Sequence, residues 1–279
     1  MFNLGLDGQI VLVTGGVRGV GAGISQVLTD LGATVVACAR REPDGDVLEP
    51  CDSRAAGEAV SPAGRLRRGS SRAPFAEFVS TDIRDPDAVA ALIESIVSRH
   101  GRLDVVVNNA GGAPFALAAD ASAKFHSKIV ELNMLAPLIV SQVANAVMQE
   151  QARGGAIVNV SSVSGHRPSP GTAGYGAAKA GLDSLTGSLA VEWAPKVRMN
   201  SVVVGPVRTE LAELHYGDDE GIAAVGRTIP MGRMAEPADV GRAVAFLASP
   251  LAQYITGSTL TVHGGGERPA FLDAATTNK

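Results

Sequence analysis

One stretch near the N-terminus limits the folds open to this chain more than any other. The apolar run Ile10-Val11-Leu12-Val13 passes directly into Thr14-Gly15-Gly16-Val17-Arg18-Gly19-Val20-Gly21. Val20, Ile24, Val27, Leu28 and Leu31 then recur at helical spacing until Gly32. A continuous apolar run of this length suits a strand covered on both faces. Glycines at the junction permit a tight turn and a close backbone approach. The helix that follows offers free N–H groups and the positive end of its dipole, so the junction suits an anionic group. The spacing T-G-x-x-x-G-x-G differs from the commoner G-x-G-x-x-G, and the absence of a following Lys-Ser/Thr pair excludes a Walker-type phosphate loop.

The rest of the chain repeats this alternation. Further strands are expected at Thr34–Ala39, Phe75–Thr81, Leu103–Val107, Ala156–Val160, Val197–Val204 and Ser258–Val262. Helices are expected at Asp85–His100, from Ser122 to about Gln151, and at Thr172–Ala194. Strands and helices of these lengths in alternation form right-handed βαβ units. The expected fold is α/β: a doubly wound, mostly parallel seven-stranded sheet, Rossmann-like, with helices on both faces. We read one domain over residues 1–279, with an irregular insertion at about 42–74 and a C-terminal tail at about 267–279. The insertion carries Pro43, Pro50, Pro62 and Pro74 among Arg54, Arg65, Arg67, Arg68 and Arg72, with no sustained period. It reads either as a surface insertion or as a lid over one end of a ligand site.

Composition narrows the function. A net charge of −4 speaks against general nucleic-acid binding. Two cysteines exclude a disulfide scaffold, and Cys38 within an apolar run reads as a small core residue. No stretch approaches the ~18 apolar residues of a membrane span, and the first apolar run is too short for a signal peptide. A soluble cytoplasmic protein is expected. His126, His215 and His263 have no metal-ligand spacing, so no metal site is expected.

In a doubly wound sheet, ligands bind at the carboxyl ends of the strands. Here those ends bring Gly15, Arg40, Asp82, Asn108-Asn109-Ala110-Gly111, Ser161-Ser162 and Gly205 to one rim. Turn residues explain any one of these, but not their coincidence. Tyr175 and Lys179 lie four apart on one helix face beside that rim.

With these motifs the sequence resembles the classical short-chain dehydrogenase/reductase family. The resemblance covers nearly the whole chain outside the insertion and the tail. It rests on Thr14 to Gly21, Asp82, Asn108-Asn109-Ala110-Gly111, Asn133, Ser162 and Tyr175-Gly176-Ala177-Ala178-Lys179. It implies an oxidoreductase that moves hydride between a nicotinamide cofactor and a carbonyl/secondary alcohol pair. It implies Tyr175 as general acid/base, Ser162 orienting the substrate oxygen and Lys179 holding the nicotinamide ribose. Asn133 would support a water-linked proton path to Lys179. The expected cofactor contacts are Gly15, Arg18, Gly19, Val20, Arg40, Asp82, Ile83, Asn109, Ala110, Gly111, Tyr175, Lys179, Gly205, Val207 and Thr209. Val204 stands where the family usually has proline, which leaves that backbone less fixed. The resemblance and two long helices also imply a homo-oligomer, a tetramer.

Free tyrosine titrates near ~10. An ammonium about 4 Å away lowers that by roughly 3 units at an effective dielectric of about 20, enough to make tyrosine useful near neutral pH. Cofactor choice rests on charge. The second strand ends at Ala39 rather than a carboxylate, followed by Arg40 and Arg41, with Arg18 in the glycine turn. Guanidiniums suit a 2′-phosphate, so NADP(H) is favoured, with NAD(H) possible. The alternatives are a non-catalytic dinucleotide-binding sensor on the same fold, which has no need of Asn133, Ser162, Tyr175 and Lys179 together, and a sugar epimerase or dehydratase, whose glycine spacing differs. The substrate is expected to touch Ser162, Tyr175, Ser164–Pro170 and Leu211–Met231.

Overall fold

A computed structural model describes residues 4–42 and 77–267, with residues 269, 270 and 274 of the tail. Strands β1 (Ile10–Thr14), β2 (Thr34–Ala39), β3 (Glu77–Ser80), β4 (Val105–Asn108), β5 (Gly155–Ser162), β6 (Val197–Val204) and β7 (Thr259–Val262) form one sheet in the order β3-β2-β1-β4-β5-β6-β7. Every pairing is parallel. This is the doubly wound sheet expected from the sequence. Of the insertion at about 42–74 only Glu42 is described, so the choice between surface insertion and lid lies outside the described residues.

The helices are α1 (Gly19–Asp30), α2 (Pro86–His100), α3 (Ala123–Val130), α4 (Ala136–Glu150), α5 (Ala173–Trp193), α6 (Ala212–Tyr216), α7 (Asp219–Thr228) and α8 (Pro237–Ala248). Alternate strand residues serve opposite layers. Val11 and Val13 pack with Ile24 and Leu28 of α1 and Val240 and Val244 of α8. Ile10 and Leu12 pack with Ile93 and Ile96 of α2 and Val140 and Met148 of α4. That two-sided burial is why the first strand reads as an unbroken apolar run.

Two expectations change. The segment from Ser122 to about Gln151 is not one regular α-helix. A π-helical turn, Glu131–Leu135, separates α3 from α4. Within Ala123–Glu150 an 18-residue window reaches a mean hydropathy of 1.3, which by length and composition is enough to cross a membrane. Ala136, Val140, Ala144 and Met148 are buried on the sheet, so this helix covers a core face. The second change is helix formation after β6. The spacing predicted no helix between the sixth and seventh strands, and the structure forms α6, α7 and α8 there. Helix α8 has a local start signal: Pro237 opens it, and the Asp239 carboxylate accepts from Glu236 N–H at 2.9 Å. It packs directly on α1. A Cβ on Gly23 would lie 2.2 Å from Pro237 Cβ, so only glycine lets these helices approach.

Candidate active site

The strand order reverses between β1 and β4, and their carboxyl ends flank the crevice where ligands bind in such sheets. Hydrogen bonds stitch the two ends together. Asn109 N–H and Ala110 N–H donate to the Thr14 hydroxyl at 3.0 and 3.1 Å. The Asn109 side-chain amide donates to the carbonyls of Thr14 and Gly15 at 3.0 and 3.1 Å. Asn109 therefore shapes the glycine turn from beneath.

The turn fits a dinucleotide. Gly15 and Gly19 adopt φ of 63° and 53°, the left-handed region that favours glycine. A Cβ on Gly21 would lie 2.0 Å from the Gly15 carbonyl oxygen. At the start of α1, Gly19 N–H donates to a Glu210 carboxylate oxygen at 2.9 Å. The helix N-terminus thus already receives an anionic oxygen, as a pyrophosphate would supply. Arg18 is exposed at the N-cap and makes no side-chain cap bond. Val20 turns inward and packs against the core.

Tyr175 and Lys179 lie on the first turns of α5, and Ser162 ends β5. Lys179 is 2% exposed. Its ammonium donates to the Val160 carbonyl at 2.7 Å and lies 5.7 Å from the Tyr175 ring centroid. Burial pushes the Lys179 pKa down to about 8, partly countered by the Asp183 carboxylate. Burial also raises the Tyr175 pKa, while a hydrogen bond with Ser162 lowers it and nearby Tyr216 raises it. The net effect is the reverse of the lowering expected from an adjacent ammonium. Desolvation of the phenolate is the largest cause, so Tyr175 carries its proton at neutral pH.

Asn133 is fully buried in the π-helical turn. Its side-chain amide donates to Ile129 O at 2.9 Å and Gly112 O at 3.0 Å, and its oxygen accepts from Gly112 N–H at 2.8 Å. A Cβ on Gly111 would lie 2.6 Å from the Asn133 oxygen and 3.5 Å from the Lys179 ammonium. The backbone at Gly111 is thus the spacer between these two side chains.

The adenine end is arranged differently from expectation. Arg84 grips Asp82 with two bonds, Nε to Oδ1 at 2.9 Å and a terminal nitrogen to Oδ2 at 2.5 Å. That contact holds the Asp82 carboxyl down at about 2. Ile83 buries its side chain in the core, so its backbone alone is free for contact. Arg40 and Arg41 are exposed, and neither they nor Arg18 forms an ion pair among the described residues. On the far side, a Cβ on Gly205 would lie 2.8 Å from His263 Cβ. Val207 bridges to Ala235, and the Thr209 methyl is 3.6 Å from a Cβ built on Gly19. The segment after β6 therefore reaches across to the glycine turn.

Sequence reasoning missed Arg84, Asp183, Glu210 and Tyr216. Arg84 sits two residues from Asp82 and was legible as a local pair. The other three act through contacts or fields that docking creates. His166, within the stretch Ser164–Pro170 expected to touch substrate, is exposed and its Nε2 lies 2.9 Å from Asp183. A 450 Å³ cavity between residues 164–170 and α5 is lined by Ser164, Arg167, Pro170 and Ala177, and reaches neither Ser162 nor Tyr175.

A parallel sheet with a glycine turn at its switch point, and a Tyr–Lys pair beside it, defines the Rossmann-type oxidoreductases. Known proteins narrow this further. A family profile described as enoyl-(acyl carrier protein) reductase matches residues 15–267. The chain is 33% identical over 263 residues to a 3-oxoacyl-(acyl-carrier-protein) reductase of Vibrio cholerae, covering 94% of this chain and 98% of that one. It is 34% identical over 261 residues to L-rhamnose 1-dehydrogenase (NAD(P)(+)) of Azotobacter vinelandii, covering 92% and 96%. The ligand-free structure of Thermoplasma acidophilum aldohexose dehydrogenase superposes with a TM-score of 0.79 at 29% identity, covering 98% of this chain and 97% of that one. The chain belongs to the short-chain dehydrogenase/reductase family and is an oxidoreductase of nicotinamide-dependent hydride transfer.

Proposed function

We propose that this protein is a single-domain NADP(H)-dependent carbonyl reductase/alcohol dehydrogenase in which Tyr175 is the general acid/base. The supporting observation is the buried Lys179 ammonium beside the Tyr175 ring, with Ser162 hydrogen-bonded to the same tyrosine. Tyr175 donates its phenolic proton to the carbonyl oxygen in reduction and recovers it in alcohol oxidation. The Ser162 hydroxyl donates to that oxygen as charge develops on it. Lys179 holds the ribose and favours the phenolate once Tyr175 has given up its proton. Asn133 fixes the backbone at Gly112, and with it the spacer at Gly111 beside Lys179. The nicotinamide, when bound, supplies or accepts the hydride.

The glycine turn and the α1 N-terminus would hold the pyrophosphate, and Gly205, Val207 and Thr209 the nicotinamide half. Arg18, Arg40 and Arg41 support NADP(H), because Ala39 leaves no carboxylate to repel a 2′-phosphate. Arg84 neutralises Asp82, a carboxylate at that end. The substrate is a small carbonyl or alcohol. Exposed Phe115, Leu211 and Leu214, on the segments leaving β4 and β6, offer it apolar surface. We place the protein in the cytoplasm as a homotetramer, with α3–α4 and α5 paired between copies. A monomer by light scattering at micromolar concentration would refute that assembly. The function is tested with a panel of ketones and secondary alcohols against NADPH, NADH and their oxidised forms, followed at the nicotinamide absorbance. Turnover with no member of a broad panel would overturn the reading.

A further inference from the structure

Asp183 lies on α5 one turn beyond Lys179, where its side chain is 10% exposed. Three donors from three other parts of the chain converge on it. The Ser161 hydroxyl of β5 donates to Oδ2 at 2.7 Å, and the Ser201 hydroxyl of β6 donates to Oδ1 at 2.5 Å. His166, in the turn that follows Ser162, reaches Oδ2 through Nε2 at 2.9 Å. Ser161 precedes the proposed substrate-orienting Ser162, and its hydroxyl also lies 3.4 Å from the Lys179 carbonyl. None of the roles proposed above uses this carboxylate.

We infer that Asp183 is a positioning residue for the reaction: its carboxylate keeps the Lys179 ammonium charged and pins both ends of the Ser162 turn to α5. The inference rests on the proposed Tyr175–Lys179 chemistry. A buried ammonium without an opposite charge nearby gives up its proton. Asp183 supplies that charge along the helix and raises the proton affinity that burial lowers. The titratable groups facing this pair are Tyr175 on the same helix and His166 from the adjoining turn. Strands β5 and β6 contribute the hydroxyls of Ser161 and Ser201, and the π-helical turn contributes uncharged Asn133 across Gly111. Ser161 and His166 flank Ser162 in sequence, so one carboxylate fixes the backbone on both sides of that hydroxyl.

The test follows Lys179 directly, without a substrate. The chain has five lysines, so labelling with 13Cε-lysine gives few signals, and Lys179→Met assigns the one of interest. In the wild type it should titrate at about 8. In Asp183→Asn the midpoint should move to lower pH. Ser201→Ala, which removes a hydrogen bond and keeps the charge, should leave it in place. Asp183→Ser, smaller and likewise uncharged, serves where the amide variant does not fold. The alkaline limb of cofactor binding should move with the NMR midpoint. One unit above the new midpoint, affinity should fall ~10-fold, while near pH ~6.5 it should stay within ~3-fold of wild type. A purely structural role would lower affinity evenly across pH, and an unmoved Lys179 midpoint would overturn the inference. If the midpoint moves but Tyr175→Phe keeps full turnover, the catalytic reading fails while the charge coupling stands.

Discussion

The Lys179 ammonium and the Tyr175 ring are 5.7 Å apart, and the ammonium's hydrogen bond is to the Val160 carbonyl rather than to the tyrosine. The lysine therefore sits beside the phenol while staying anchored to β5. Tyr175→Phe deletes the transferred proton and leaves that anchor in place. Turnover should fall at least ~10²-fold with cofactor affinity nearly unchanged. Steady-state kinetics on the best substrate of the panel, with fluorescence titration of the reduced cofactor, measures both. Lys179→Met should reduce turnover and affinity together.

The same burial makes stability depend on pH. Lys179 titrates at about 8 folded against an ordinary 10.5, so between those values the unfolded chain binds more protons than the folded one. Stability from this group must therefore rise with pH across that window, and the burial cost is fully present below 8. Urea unfolding of wild type and Lys179→Met at pH ~7.5 and pH ~10 isolates the effect, because other groups cancel in the difference. Wild type should gain about 2 kcal/mol on the variant between the two pH values. A difference that stays constant would show that the folded lysine titrates as a solvated ammonium, with no burial cost.

Cofactor choice should follow the exposed guanidiniums. An Arg40 contact to a 2′-phosphate is a charged hydrogen bond of roughly 1.5–3 kcal/mol, so NADPH should bind about 10- to 100-fold tighter than NADH. Ala39→Asp combined with Arg40→Leu should reverse the order by adding repulsion and removing attraction. Equal affinity for both cofactors in the wild type, at physiological salt, would reduce Arg40 to a solvated strand-end residue.

The glycine turn admits no side chain at Gly21. An added methyl would lie 2.0 Å from the Gly15 carbonyl oxygen and 2.5 Å from the Asn109 amide. Backbone cannot yield as a flexible side chain can, so Gly21→Ala should displace α1 from β1. We expect a loss of about 1–3 kcal/mol in unfolding free energy. Cofactor binding should weaken further than stability alone explains. Gly187→Ala, where the added atom meets nothing within 4 Å, is the control.

The short-range features of this chain are legible in its sequence. Apolar runs buried on both faces, the Thr14–Gly21 turn, and Tyr175 four residues before Lys179 are patterns between near neighbours, and each has a local physical cause. The α8 start is equally local, in Pro237 and Asp239, but no strand separates it from α7, so the strand–helix alternation does not mark it. Other features have no local mark. Asp183 meets Ser161, Ser201 and His166 only because α5 docks on β5 and β6. Glu210 reaches Gly19 across 191 positions because the segment after β6 folds back over the glycine turn. The direction of the Tyr175 shift belongs with these. A sequence places an ammonium near a phenol, but desolvation depends on every atom that excludes water, and only the packed chain decides which effect prevails.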